Sequence, residues 1–111
     1  NKDINNKIKF NLKKHLINDS NKEFRISINS TLNKNVISKD LTGKATNYDL
    51  AAVSTFKVYY GDNNRVFSFN ENLKIKNIDN SFEQKKHEDE IINNFASSIY
   101  NKLIVQLELI E

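Results

Sequence analysis

The side chains able to do chemistry are few, and their spacing matches no common reaction. The two histidines, His15 and His87, each fall on the polar side of a predicted helix. A solvated surface imidazole is the plain reading there, and a ligand or proton carrier the sharper one. His87 and Glu90 stand three residues apart on one helical face, but no second such pair completes a carboxylate cage. Glu83, Glu88, Asp89 and Glu90 crowd the start of a predicted helix, where the positive end of the dipole attracts acids without any metal. Ser54, Ser68, Ser97 and Ser98 have no His/Asp partner at a motif spacing. Gly43 and Gly61 are isolated, so no glycine-rich phosphate cradle exists. With no cysteine, thiolate metal sites and disulfides are unavailable. The expectation is a protein that is no enzyme and uses no metal or cofactor.

What remains is a basic set, Lys57, Arg65, Lys74 and Lys76. The three lysines fall on the side of a predicted hairpin opposite its apolar stripe. Arg65 lies at the turn, where its long stem can swing the guanidinium outward. One reading is a solvated sheet face whose lysines discourage edge-to-edge aggregation. The other is an anion-binding face, since arginine meets phosphate in two-point fashion and lysine as a point charge. An exposed pair is worth only ~0–1 kcal/mol, so several basic groups would have to act together.

The elements that must position these residues follow from periodicity. Ile4, Ile8, Leu12 and Leu16 recur every four residues and predict a helix over 3–18, with Asp3 as its N-cap. The polar run from Asn18 to Asn21 ends it. Phe24, Ile26, Ile28 and Leu32 alternate with polar residues and predict a strand over 23–32, with Val36 and Ile37 continuing it after a kink at Asn33–Asn35. A long strand over 45–60 places Leu50, Ala52, Ser54, Phe56, Val58 and Tyr60 on one face, and a return strand over 65–76 does the same for Phe67, Phe69, Leu73 and Ile75. Folding this hairpin at Asp62–Asn63 pairs Tyr60 with Arg65, Val58 with Phe67, Phe56 with Phe69, Ala52 with Leu73 and Leu50 with Ile75. Ser54 then faces Glu71, whose carboxylate needs a bulge or an edge. The same register sets Lys57 across from Ser68 and Asp49 opposite Lys76. A long amphipathic helix over 82–107 carries Ile91, Ile92, Phe95, Ala96, Ile99, Leu103 and Leu107, with Ser81 and Gln84 as a capping box.

The order α-β-β-β-α gives two apolar helix stripes and one apolar sheet face. The economical solution is an α+β fold, two helices packed on one face of a mostly antiparallel three- to four-stranded sheet. At 111 residues, 38% apolar and 28% charged, the chain supports one packed domain over 1–111. The formal charge of +3, spread along the sequence, does not argue for nucleic acid. No apolar run approaches the ~20 residues needed to span a bilayer as a helix. The chain begins without Met, so it reads as a processed or trimmed piece of a longer product, and any targeting segment or lipid-bearing residue would lie upstream.

The segments from Ala45 onward carry a resemblance. Ala45-Thr46-Asn47-Tyr48-Asp49-Leu50 resembles the opening of a central strand, where an aromatic-polar-Leu step begins a long alternating run. Phe56-Lys57-Val58-Tyr59-Tyr60-Gly61-Asp62-Asn63-Asn64-Arg65-Val66 is similar to the following strand, Asp/Gly turn and return strand. Asn77-Ile78-Asp79-Asn80-Ser81-Phe82 with Glu88-Asp89-Glu90 looks like the loop into an acidic-headed terminal helix. Together they resemble the LptE family of lipopolysaccharide-assembly lipoproteins, in its alphaproteobacterial form. The resemblance implies a lipid-anchored subunit at the periplasmic face of the cell outer membrane. Such a subunit plugs the LptD β-barrel, helps it assemble and assists lipopolysaccharide transport. It also implies two helices on a four-stranded sheet, with one strand before the first helix; that strand and a lipidated Cys would lie upstream of Asn1. In this light Lys57, Arg65, Lys74 and Lys76 become candidates to hold the phosphates of lipid A, and Asp49 a candidate to neutralise Lys76. Another periplasmic envelope-assembly or transport-auxiliary lipoprotein domain is the alternative.

Overall fold

In a computed structural model the backbone is described for residues 1–18 and 25–109, and side chains from 1–12 and 25–109. Helix α1 spans Lys2–Asn18, strands β1, β2 and β3 span Arg25–Lys39, Ala45–Tyr60 and Asn63–Lys76, and helix α2 spans Ser81–Leu109. The strands form a three-stranded antiparallel sheet in the order β1-β2-β3. The fold is α+β, with both helices on one sheet face.

A single core explains the layering. Ile4, Ile8 and Leu12 of α1 meet Leu50, Ala52, Phe56 and Val58 of β2, Ile75 of β3, and the α2 stripe from Ile91 to Leu107. Leu16 and Phe24, also expected inside, lie outside the described side chains. Phe56 is fully buried and its ring centroid is 5.9 Å from that of Phe69, so the two rings share the helix-covered face. Even-numbered residues of β2 face the core and odd-numbered ones face outward, as the period of two requires.

The hairpin register differs from the expected one by two residues. Tyr60 pairs with Asn63, Val58 with Arg65, Phe56 with Phe67 and Leu50 with Leu73. The cause is the turn, whose loop is only Gly61-Asp62. Gly61 takes φ +56° while Asp62 keeps a negative φ, consistent with a type II′ turn that matches strand twist. A two-residue shift leaves every side chain on its face, so the apolar pattern could not discriminate the registers. Glu71 consequently faces Ala52 on the edge strand β3, and Ser54 faces Phe69 on one side and Ser30 on the other.

Three local expectations are corrected. The cap of α1 is Asn1, whose Oδ1 accepts from the N–H groups of Asp3 and Ile4 at 3.0 and 3.2 Å. The cap of α2 is Asn80, accepting from Phe82 and Glu83 at 3.0 and 3.1 Å. Gln84 instead turns back to accept from the Ile78 N–H at 2.7 Å, fixing the loop before α2. Strand β1 runs unbroken through Asn33–Asn35, and its irregularity falls between Val36 and Lys39.

Candidate functional site

All four candidate residues, Lys57, Arg65, Lys74 and Lys76, are exposed, but the structure does not bring them to one place. Lys57, Lys74 and Lys76 point away from the helices, opposite Val66, Asp49 and Asn47 respectively. Arg65 pairs with Val58, a core-side residue, and so belongs to the other face at the hairpin tip. Along β2, Lys57 and the partners of Lys74 and Lys76 are separated by roughly 27 and 34 Å. That far exceeds a screening length of about 8 Å, so these charges do not reinforce one another. Lys74 and Lys76, by contrast, lie about 7 Å apart on one strand face. The shifted register also moves the neutralising carboxylate, since Asp49 stands across from Lys74 and not Lys76, accepting weakly from Asn72 at 3.5 Å. Lys57 faces Val66, and Ser68 pairs with Thr55.

The end of the sheet that carries Lys76 is more organised than the sequence suggested. An open cleft of ≈ 400 Å³ is bounded by Asp40, Lys44, Ala45, Thr46, Asn47, Lys76, Asn77 and Asp79. Two loops meet there, the β1–β2 turn and the β3–α2 loop. Lys44 Nζ donates to Asp79 Oδ1 at 2.6 Å across 35 residues of sequence. That hydrogen bond and the Asp79 charge raise the Lys44 pKa. Asn77 adds two backbone ties, donating from N to the Thr46 carbonyl at 2.9 Å and from Nδ2 to the Ala45 carbonyl at 3.1 Å. Asp40 organises the turn itself, accepting from the Thr42 hydroxyl at 2.6 Å and the Thr42 and Lys44 N–H groups at 2.9 and 3.0 Å. Those donors, the Thr42 hydroxyl first, hold the Asp40 carboxyl below its ordinary value. Lys44, Asn47, Asn77 and Asp79 were not among the candidates. The only sequence signal was the Gly43 turn, because their meeting depends on two loops folding side by side.

The acids of α2 resolve into separate roles. Glu83 alone lies in the first helical turn. Glu88 is half-buried; it accepts from Gln84 at 3.3 Å and forms a 2.6 Å ion pair with Lys34, whose ammonium also lies 4.3 Å above the Tyr48 ring. Glu71 accepts a short hydrogen bond from Ser98 and pairs with Lys102 at 2.8 Å, fastening β3 to α2. Burial alone would raise the Glu71 pKa, but hydrogen bonds from Lys102 and Ser98 and the Lys102 charge prevail and lower it. His87 is half-buried, and the His15 side chain lies outside those described. Among the described residues, no group of three His, Asp or Glu side chains gathers as metal ligands would. None of their helices is long and apolar enough to cross a membrane.

Comparisons with known proteins bear on the fold. No protein-family model matches the sequence, and no curated protein matches it. Among solved structures, the chain is similar to the crystal structure of the rare lipoprotein B from Shewanella oneidensis, with a TM-score of 0.75 at 10% identity, over 95% of this chain and 84% of that one. At that identity the likeness is one of fold.

Proposed function

We propose that this chain is a non-catalytic lipoprotein domain of lipopolysaccharide export, acting at the periplasmic face of the outer membrane as an LptE-like plug of the LptD barrel that helps the barrel assemble. The observation that carries the reading is the likeness to rare lipoprotein B, a protein of LptE type, across nearly the whole chain. Shape supports it. The backbone extends 58 × 22 × 19 Å, a narrow rod with a long hairpin. A narrow, elongated domain suits the lumen of a large barrel, whose diameter grows with strand number.

In this reading the domain also touches the anionic lipid that the barrel exports. Of the four candidates, Lys74 and Lys76 are the pair close enough to share one phosphate-bearing ligand; Lys57 and Arg65 would meet it elsewhere. Co-purification from membranes tests the partner. A tagged chain should retain a large outer-membrane barrel through washing, and a chain recovered without one returns the domain to the wider class of envelope adaptors. Lipopolysaccharide binding by a folded quadruple variant, with Lys57, Arg65, Lys74 and Lys76 all changed to Glu, tests the ligand. Undiminished binding would remove these residues from the site.

A further inference from the structure

The end of the rod that carries the Lys44–Asp79 ion pair also carries two of the most exposed large hydrophobic side chains described. Leu41, in the β1–β2 turn, is 108% exposed, and Phe82, in the first turn of α2, is 77% exposed. Each lies three residues from one member of that 2.6 Å ion pair, so the pair ties the two apolar knobs to the same end. Neither knob is a floppy tip. The hydrogen bonds to Asp40 fix the turn below Leu41, and the Asn80 cap fixes the helix start below Phe82. A folded chain that exposes a leucine and a phenylalanine on stiff supports forgoes the burial that each could have gained.

The charges around them select an occupant. Asp79 is paired with Lys44, and Asp40 keeps its charge while accepting from the turn's own donors. That leaves Lys39 and Lys76 on the strands and Lys85 and Lys86 on the helix, all exposed and with no ion-pair partner among the described residues, against two acids, Asp40 and Glu83. Lys85 and Lys86 follow Phe82 by three and four residues and share its side of the helix. Exposed apolar side chains at an end with an excess of lysines match an interface that is apolar within and anionic at its surface. The knobs come from a turn and a helix start and are almost fully exposed, so they suit a soft layer better than a single rigid pocket. We infer that this end of the molecule dips Leu41 and Phe82 into the headgroup region of an anionic lipid bilayer, with the surrounding lysines on its phosphates. The contact is independent of any barrel partner.

Sedimentation with phospholipid vesicles tests this. The protein should bind vesicles containing phosphatidylglycerol and bind pure phosphatidylcholine vesicles much more weakly. Leu41→Asp and Phe82→Asp should each weaken binding roughly tenfold, the lower end of what burying such a side chain supports. Lys39→Glu with Lys86→Glu should weaken it too, and so should added salt. Thermal melting should stay unchanged in every variant, because none of these side chains belongs to the core. Failure of the parent protein to sediment with anionic vesicles overturns the inference. Equal binding by a folded double Leu41→Asp, Phe82→Asp variant also overturns it. So does self-association in sedimentation velocity that depends on these two residues while vesicles are ignored, which would assign the knobs to a second copy of the chain.

Discussion

Ser30 and Ser54 join Oγ to Oγ at 2.7 Å across β1 and β2, and they are 2% and 0% exposed. Water cannot replace either partner at that burial. Ser54→Ala leaves the Ser30 hydroxyl buried without its partner, at a cost of about 1–3 kcal/mol, and Ser30→Ala does the reverse to Ser54. Removing both hydroxyls orphans neither, so the double variant should cost no more than about the larger single effect. The cycle should therefore show a coupling of roughly 1–2 kcal/mol between the sites. Urea unfolding of the four proteins measures it, provided the m-values agree, so that the midpoints report stability and not a change in compactness. The pair exists only if β1 and β2 hold the register in which Ser30 faces Ser54. Strictly additive single effects would refute both the hydrogen bond and that register.

Phe56→Ala should destabilise the fold by about 3–5 kcal/mol, a large share of a typical total of ~5–15 kcal/mol, because the ring is fully buried; a loss below about 1 kcal/mol in urea unfolding would contradict that placement. Gly61→Ala should cost about 1–2 kcal/mol although an added Cβ meets nothing within 4 Å, because φ +56° is strained for an L-residue; an unchanged melting temperature would mean the turn is not of this type. The lowered Glu71 pKa has a definite sign. Its contribution is fully present above the ordinary carboxylate value and is lost as pH falls through the folded value. Glu71→Gln should therefore reduce stability at neutral pH, by at most about 1 kcal/mol given the exposure of Lys102, and narrow the gap between parent and variant toward pH 2. A gap that stays constant from pH 7 to pH 2 would sink this assignment.

Sequence alone determined which elements form and which face each one buries. The four-residue stripe of Ile4, Ile8 and Leu12, the strict alternation from Leu50 to Val58 and the broad stripe from Ile91 to Leu107 each have a period that only one backbone geometry turns into a continuous apolar surface. Two helix stripes and one sheet face then have few ways to meet, so the α+β layering was legible before any coordinates. Tertiary structure decided what periodicity cannot encode. The hairpin register turned on the φ of Gly61, since a shift of two residues preserves every face. Asn1 and Asn80 became the caps because each lies where its side chain reaches the free N–H groups, whereas Asp3 and Ser81 are already inside their helices. The scatter of the candidate basic set was itself legible, because Lys57 and Lys76 stand eight strand residues apart in the expected register and ten in the observed one, too far to act together in either. The cleft that gathers Lys44, Asn77 and Asp79 is set by two loops distant in sequence closing at one end of the sheet, a contact that no local pattern records.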